Sequence, residues 1–333
     1  MPPEEVTIYT VAAEAGVSIS TVSLTLNRPG RVKASTRKHV LEVIDRLGYV
    51  PHAAAVSHAR RVFARVGVIA PFSSYESYQR RLAGILTESA EESTDIVVFD
   101  QLSAAESIRP LMDSLPLTNR LDGLIIMGLP LDDRLSQRLR QRRIPTVLID
   151  SDTGHFSSVN VDDRRGGMLA GQRLLKHDPS RFAWVREQQR STEYRSAAQL
   201  RGEGFQSALR AAGREDQLIT IDAANGLDGG REALPALLAA AGGPVGVFAH
   251  HDTLAAGLLL ECRARGLRVP ADVAIVGFDD GQLAEALGIT TIRQPFEASG
   301  RSATRMLQQL LADPATPVQH TVLDLSLVAR ASG

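Results

Sequence analysis

The chain has 333 residues, enough for two or three domains, and a hydrophobic share of 44% that can fill a sizeable core. No apolar run is long enough to span a membrane, and the single cysteine, Cys262, excludes an internal disulfide framework and fits a reducing compartment. The net charge of −1 hides an asymmetry: residues 1–63 hold eight Lys and Arg against five Asp and Glu, leaving 29 against 33 of the total 37 and 38 for the rest. A basic head on an acidic body fits phosphate contacts made by the head alone. The start, Met1-Pro2-Pro3-Glu4-Glu5, is acidic and polar and does not read as a signal peptide, so a cytoplasmic location is expected.

Residues 7–27 read as two short helices joined by a tight turn. Thr7 can cap the first, because its hydroxyl satisfies an orphan amide there. Val11, Ala12 and Ala15 form its inner face, and Gly16 allows a turn that residues with a Cβ resist. Ser18 is a second N-cap. The helix after it turns Val22 and Leu26 inward and Ser20, Thr21 and Ser23 outward. Short polar side chains let a helix enter the DNA major groove closely and bond base edges or phosphates. The pattern fits a helix–turn–helix DNA reader as well as an ordinary helical hairpin with a polar surface. A third helix, Ala34 to Leu47, carries Val40, Ile44 and Leu47 on one stripe and supplies the core that two helices lack.

Here the residues resemble a known family. The run Ala12-x-x-Ala15-Gly16-Val17-Ser18-x-x-Thr21-Val22-Ser23-x-x-Leu26-Asn27, then Thr36-Arg37, then Leu47-Gly48-Tyr49-Val50-Pro51, is similar to the head-piece of the lactose-repressor (LacI) family. The resemblance implies a DNA-contacting set of Thr7, Ser18, Ile19, Ser20, Thr21, Ser23, Asn27, Thr36, Tyr49, His52, Ala55 and His58. Residues 49–62 are alanine-rich after Pro51 and read as a short, marginal helix or a linker. In the family this stretch is a hinge that becomes helical on operator DNA and pushes an apolar wedge into the minor groove. His52 stands where the family usually has Asn, and His58 where it has Leu.

From Arg65 onward, short apolar runs alternate with helical stretches. The runs are 66–70, 96–99, 124–127, 146–149, 182–185, 218–221, 245–249 and 273–278; the helical stretches include 79–92, 196–212, 253–265 and 298–311. This alternation predicts an α/β fold with parallel sheets covered by helices on both faces. Eight or more strands over this length suit two doubly wound lobes, with a closed eightfold barrel as the geometric rival. Matching landmarks run to Leu327-Val328-x-Arg330, so the resemblance covers almost the whole chain. It implies a two-lobed core of the periplasmic-binding-protein type. The expected layout is a helix–turn–helix domain over 1–48, a hinge over 49–62 and a core over 63–333. Lobe 1 is expected over about 63–161 and 294–324, and lobe 2 over about 162–293 and 325–333.

Ligands of open α/β sheets bind beyond the carboxyl ends of the strands. Asp150, Arg201, His251 and Asp279 fall on the family's effector-binding positions, and Ser77 and Tyr78 stand where it often has two aromatics. Carboxylates at strand ends accept hydrogen bonds from sugar hydroxyls, and an Arg fork donates. Each residue has a plainer reading: Asp279 as a helix cap, Arg201 as the partner of Glu203 or another surface acid. His251 replaces the usual Asn; its ring has fewer hydrogen-bonding options and can gain charge, which points to an uncommon effector.

No Gly-x-Ser-x-Gly elbow and no phosphate-cradling Gly-x-x-x-x-Gly-Lys-Ser/Thr loop is present. Gly202-Glu203-Gly204 lacks the third glycine of a dinucleotide fingerprint, and His250-His251-Asp252 lacks a further Cys or His cluster to complete a metal site. No catalytic residue, metal or cofactor is therefore expected. The expected protein is a repressor-type regulator that binds pseudo-palindromic double-stranded DNA as a homodimer and responds to a small, sugar-like effector, without a membrane partner. The rivals are a solute-binding module, a sugar-processing enzyme, and a DNA binder whose core only dimerises.

Overall fold

The structure is a computed structural model and describes residues 7–27, 31–47, 64–90, 94–103, 121–129, 131, 133–151, 153–187 and 196–333. The chain divides into two compact units, Met1–Val62 and Phe63–Gly333.

In the first unit, α1 (Ile8–Glu14) begins at a capping box. The Thr7 hydroxyl accepts from the Thr10 amide, and the Thr10 hydroxyl accepts from the Thr7 amide. Gly16 makes the turn at φ +62°, a conformation that costs a residue with a Cβ. The Ser18 hydroxyl then accepts the Thr21 amide at 3.1 Å and starts α2 (Ile19–Asn27). With α3 (Ala34–Leu47), these helices enclose Val11, Ala12, Ala15, Val22, Val40, Val43 and Ile44. Val43 joins the expected stripe because it lies three residues past Val40, on the same helical face. Exposed Arg46 on α3 reaches Glu14 at 2.8 Å, a pair that contributes about 0–1 kcal/mol.

The second unit contains two open six-stranded sheets, which removes the closed barrel. The first is ordered β11-β5-β4-β3-β1-β2 and is parallel throughout. Its strands are β1 (Ala64–Ala70), β2 (Thr94–Asp100), β3 (Gly123–Met127), β4 (Thr146–Ile149), β5 (Ser157–Val161) and β11 (His320–Leu323). The second is ordered β12-β10-β9-β8-β6-β7, parallel except where β12 runs against β10. It holds β6 (Arg181–Glu187), β7 (Leu218–Ala223), β8 (Val245–Ala249), β9 (Val273–Asp279), β10 (Thr290–Arg293) and β12 (Ser326–Val328).

Every residue of β3, β4 and β8 is buried, as in parallel strands covered on both faces. Ile125, Ile126 and Met127 are fully buried, each worth about 1.5–3 kcal/mol. All eight expected runs lie inside strands. The chain moves from the first sheet to the second after β5, back after β10, and over again between β11 and β12.

Four helices position the site: α4 (Glu76–Ser89), α6 (Asp163–Leu175), α7 (Ala197–Ala211) and α11 (Phe296–Ala312), with α5 (Asp133–Gln141) on the first sheet. They form two pairs, α6 with α7 and α4 with α11, that meet backbone to backbone. A Cβ on Gly167 of α6 would lie 1.9 Å from the Arg201 carbonyl, and one on Gly204 of α7 would lie 1.9 Å from the Arg164 carbonyl. Gly84 of α4 and Gly300 of α11 leave the same room for each other's helix. Each pair carries an arginine, Arg201 on α7 or Arg81 on α4, that lines the cavity. No helix among the described residues is long and apolar enough to cross a membrane.

Candidate functional site

The carboxyl ends of strands from both sheets surround a cavity of about 120 Å³. Ser77, Tyr78, Asp150, Arg201, His251 and Asp279 all line it. A neighbouring recess of about 270 Å³ shares Ser77, His251 and Asp279 and reaches Asn225, whose amide donates to the Ser74 carbonyl at 3.4 Å.

Asp150 follows β4 and forms a close ion pair with Arg81, which is only 3% exposed. Asp279 ends β9 and accepts from the Gln294 amide at 2.7 Å. It does not cap a helix, because the N-cap of α10 (Gln282–Leu287) is Gly281. Burial raises the Asp279 pKa against the opposing pull of Arg201.

Arg201 lies in the second turn of α7, buried, its guanidinium 3.7 Å from the centre of the Phe278 ring. It donates to Asp163 at 2.8 Å and to the His250 carbonyl at 2.9 Å. The surface acid that sequence offers as its partner, Glu203, pairs with Arg164 instead. Burial raises the Asp163 carboxyl to about 6, with Arg201 pulling the other way. Arg201 itself is raised: burial lowers it, but Asp163 and Asp279 outweigh that.

His251 is the N-cap of α9 (Asp252–Ala264), where its Nδ1 accepts the Leu254 amide at 3.2 Å. The neutral ring therefore carries its proton on Nε2, which has no hydrogen-bond partner among the described residues. Sequence allows this ring to gain charge. Burial, aided by the positive Arg201, instead lowers its pKa to about 4 and keeps it neutral.

The cavity also holds Tyr75, Arg81, Glu187 and Gln294, which sequence reasoning missed as site residues, and His250, which it weighed only as a metal ligand. Tyr75 and Tyr78 form an edge-on aromatic pair at 6.0 Å, with Ser77 between them in the chain. Their i, i+3 spacing was the available signal. The Tyr75 hydroxyl donates to Glu187 Oε2 at 2.7 Å, joining the N-cap of α4 to the end of β6 in the second sheet.

On the head, Thr7, Ile19 and Ser20 are exposed, while Thr21, Ser23 and Thr36 are half-buried. Thr7 and Ser18 are engaged as caps, and the Thr21 hydroxyl lies 2.9 Å from that of Ser18. Tyr49, His52, Ala55 and His58 lie outside the described residues, as do the side chains of Leu26 and Asn27.

Residues 7–52 match the bacterial regulatory proteins of the lacI family, and residues 162–333 match a periplasmic binding protein-like domain. The chain is 32% identical to the HTH-type transcriptional regulator DegA of Bacillus subtilis (strain 168), over 98% of this chain and 97% of DegA. It is 31% identical to catabolite control protein A of Priestia megaterium, covering 92% of each. Among solved structures, the transcriptional regulator CelR–cellobiose complex aligns with a TM-score of 0.68 at 30% identity, over 98% of this chain and 100% of that one. The lac repressor dimer bound to operator and the anti-inducer ONPF aligns at 0.76 and 26% identity, over 99% of both. A three-helix head, a core of two parallel sheets around a polar cavity and similarity over nearly the full length agree: the chain belongs to the LacI family of bacterial transcriptional regulators.

Proposed function

We propose that this regulator is a repressor whose hold on operator DNA is set by a small polyhydroxyl effector bound between the two sheets of its core. The observation that carries the reading is the joining, in one chain, of a helix–turn–helix head to strand ends that enclose a polar cavity. Residues 1–48 read DNA, 49–62 connect, and 63–333 bind the effector and a second copy. Lobe 1 spans about 63–161 and 294–324, and lobe 2 about 162–293 and 325–333.

Ser77, Tyr78, Asp150, Arg201, His251 and Asp279 hold the effector. Both guanidiniums at the cavity are already held by carboxylates, Arg81 by Asp150 and Arg201 by Asp163. A ligand carboxylate or phosphate would have to displace a buried partner, whereas neutral hydroxyls can bridge the groups as they stand. CelR is described in complex with cellobiose, which supports a sugar-like ligand.

On the DNA side, the exposed Ile19 and Ser20 of α2, with Thr21 and Ser23 beside them, read base edges. Thr7, Ser18, Asn27 and Thr36 set the head on the backbone, and Tyr49, His52, Ala55 and His58 contact DNA from the connecting segment. Two heads on two half-sites require a homodimer on a pseudo-palindromic operator. The protein acts by binding and release, without turnover, in the cytoplasm where its DNA lies. Effector binding changes operator affinity by a coupling free energy of about 1–3 kcal/mol.

The test is selection of genomic fragments by the purified chain, followed by gel shifts of the selected sites with a panel of neutral sugars. A defined operator released or tightened by one sugar is the expected result. Fragments without common sequence would end the DNA reading; a firm operator indifferent to every sugar would end the effector reading.

A further inference from the structure

The two adjacent histidines lack a third ligand in sequence, and the fold supplies one. Glu187 is the last residue of β6, and His250 and His251 follow β8, its neighbour in the second sheet. One ligand-type atom from each of the three lies within 4.8 Å of those of the other two. Glu187 and His251 are buried, at 8% and 7% exposure, and all three line the cavity.

Buried polar atoms are nearly always hydrogen-bonded, yet His250 Nδ1 and His251 Nε2 have no partner among the described residues. We propose that Glu187, His250 and His251 form a binding site for one divalent transition-metal ion of the zinc, cobalt and nickel class.

Two imidazoles and a carboxylate suit these borderline ions better than calcium or magnesium, which take oxygen ligands. Metal ligation needs neutral imidazole, the form His251 takes while its Nδ1 accepts the Leu254 amide. Glu187 is oriented in the way second partners orient metal ligands, its Oε2 accepting the Tyr75 hydroxyl at 2.7 Å. The two guanidiniums of the cavity are each held by a carboxylate, Arg81 by Asp150 and Arg201 by Asp163, which offsets their repulsion of an ion. The cavity side of the triad leaves room for outer ligands, water or a ligand hydroxyl, as in open metal sites.

His251 has a further consequence. Its Nδ1 now accepts the Leu254 amide, so the Nε2 lone pair is occupied by a proton. To coordinate through Nε2 as a neutral ring, it carries that proton on Nδ1 instead and gives up the cap of α9. Metal uptake thus frees the first turn of that helix.

The site needs no organic effector, so the test uses metal alone. Chelator-treated full-length protein is titrated with Co²⁺, read by its visible absorption, and with Zn²⁺, read by calorimetry. One ion per chain is expected. Glu187→Gln and His250→Ala should each weaken uptake by at least about 10-fold, the lower bound for losing even an outer-shell partner. Circular dichroism confirms that each variant is folded. Amide exchange at Leu254 should accelerate when Zn²⁺ is added. The proposal falls if the parent takes up no stoichiometric ion, if either folded variant keeps the parent's affinity, or if Leu254 exchange is unmoved. Such a failure leaves the effector reading standing, because no sugar is present.

Discussion

Asp150 and Asp279 end strands in different sheets, both at positive φ (55° and 113°), and both line the same cavity. Such backbone costs about 1–3 kcal/mol per residue and persists where the surroundings or function hold it. Asn tolerates positive φ and can keep the bond from Gln294, so Asp279→Asn separates folding from binding. We expect stability to stay within about 1 kcal/mol of the parent, while effector affinity drops by about 1–3 kcal/mol. Calorimetric titration with the identified ligand, beside urea unfolding, checks both.

Arg201→Ala should behave differently. It strands the buried Asp163 carboxyl and opens space over Phe278. Loss of one partner of a buried pair costs about 3–5 kcal/mol. Arg201→Met combined with Asp163→Leu should recover a large part of that, since neither charge is then left alone. Equal stability of Arg201→Ala and the parent in denaturant unfolding would contradict the buried-pair account.

Gly204→Ala tests the backbone approach of α6 and α7. The added Cβ meets the Arg164 carbonyl, which cannot step aside as a side-chain tip could. Overpacking of this kind costs about 1–3 kcal/mol. Thermal unfolding should show the loss, and effector binding should weaken with it because Arg201 moves with its helix.

The depressed pKa of His251 ties stability to pH. Unfolded, the ring gains its proton near 6.5; folded, only near about 4. Between these values the unfolded state binds more protons, so stability falls as pH falls. His251 therefore contributes stability that is whole above pH 6.5 and is lost by about 4, on the order of 3 kcal/mol. His251→Asn keeps a capping side chain and removes this titration. Unfolding curves from pH 7 to 4 should be less steep in pH for the variant than for the parent; parallel curves would remove His251 as the cause.

Ser20→Ala with Thr21→Ala should abolish preference for operator over random DNA and leave the core folded. Ser20 is exposed, whereas the Thr21 hydroxyl meets Ser18 at the α2 cap, so Thr21→Ala alone also loosens that helix start. Gel-shift competition distinguishes lost discrimination from lost binding, and retained preference would move base reading to other residues.

The elements with strong period were legible in the chain. Buried parallel strands such as Leu124–Met127 and Val245–Ala249 read as unbroken apolar runs, and the Thr7 and Ser18 caps read from their hydroxyls. β5, with Ser157, Ser158 and Asn160, carries no such run, and its pairing with β4 and β11 makes it a strand. In the site, strand-end residues such as Asp150 and Asp279 could be singled out because sheet geometry places them. Partners brought in from elsewhere could not. Arg81 sits in the polar run Glu76-Ser77-Tyr78-Gln79-Arg80-Arg81, which reads as a solvated helix face; it is buried because α11 and Asp150 come to it. Asp163 and Glu187 are likewise ordinary acids until Arg201 and the two histidines arrive.

The late return of the chain to its first sheet has a consequence for synthesis. β1 to β5 are complete by residue 161, but β11 joins β5 only from residues 320–323, and α11, which covers Ile85 and Val147 with Ala303, Met306 and Leu307, begins at Phe296. At about 5–20 residues per second, a ribosome takes roughly ten to thirty seconds to make the intervening chain. Throughout that time the nascent lobe shows an open strand edge and an uncovered apolar face, the features that recruit chaperones and seed aggregation. A ribosome stalled before α11 would hold a lobe that cannot close, so a chain interrupted there should be degraded as a whole instead of surviving as half a protein.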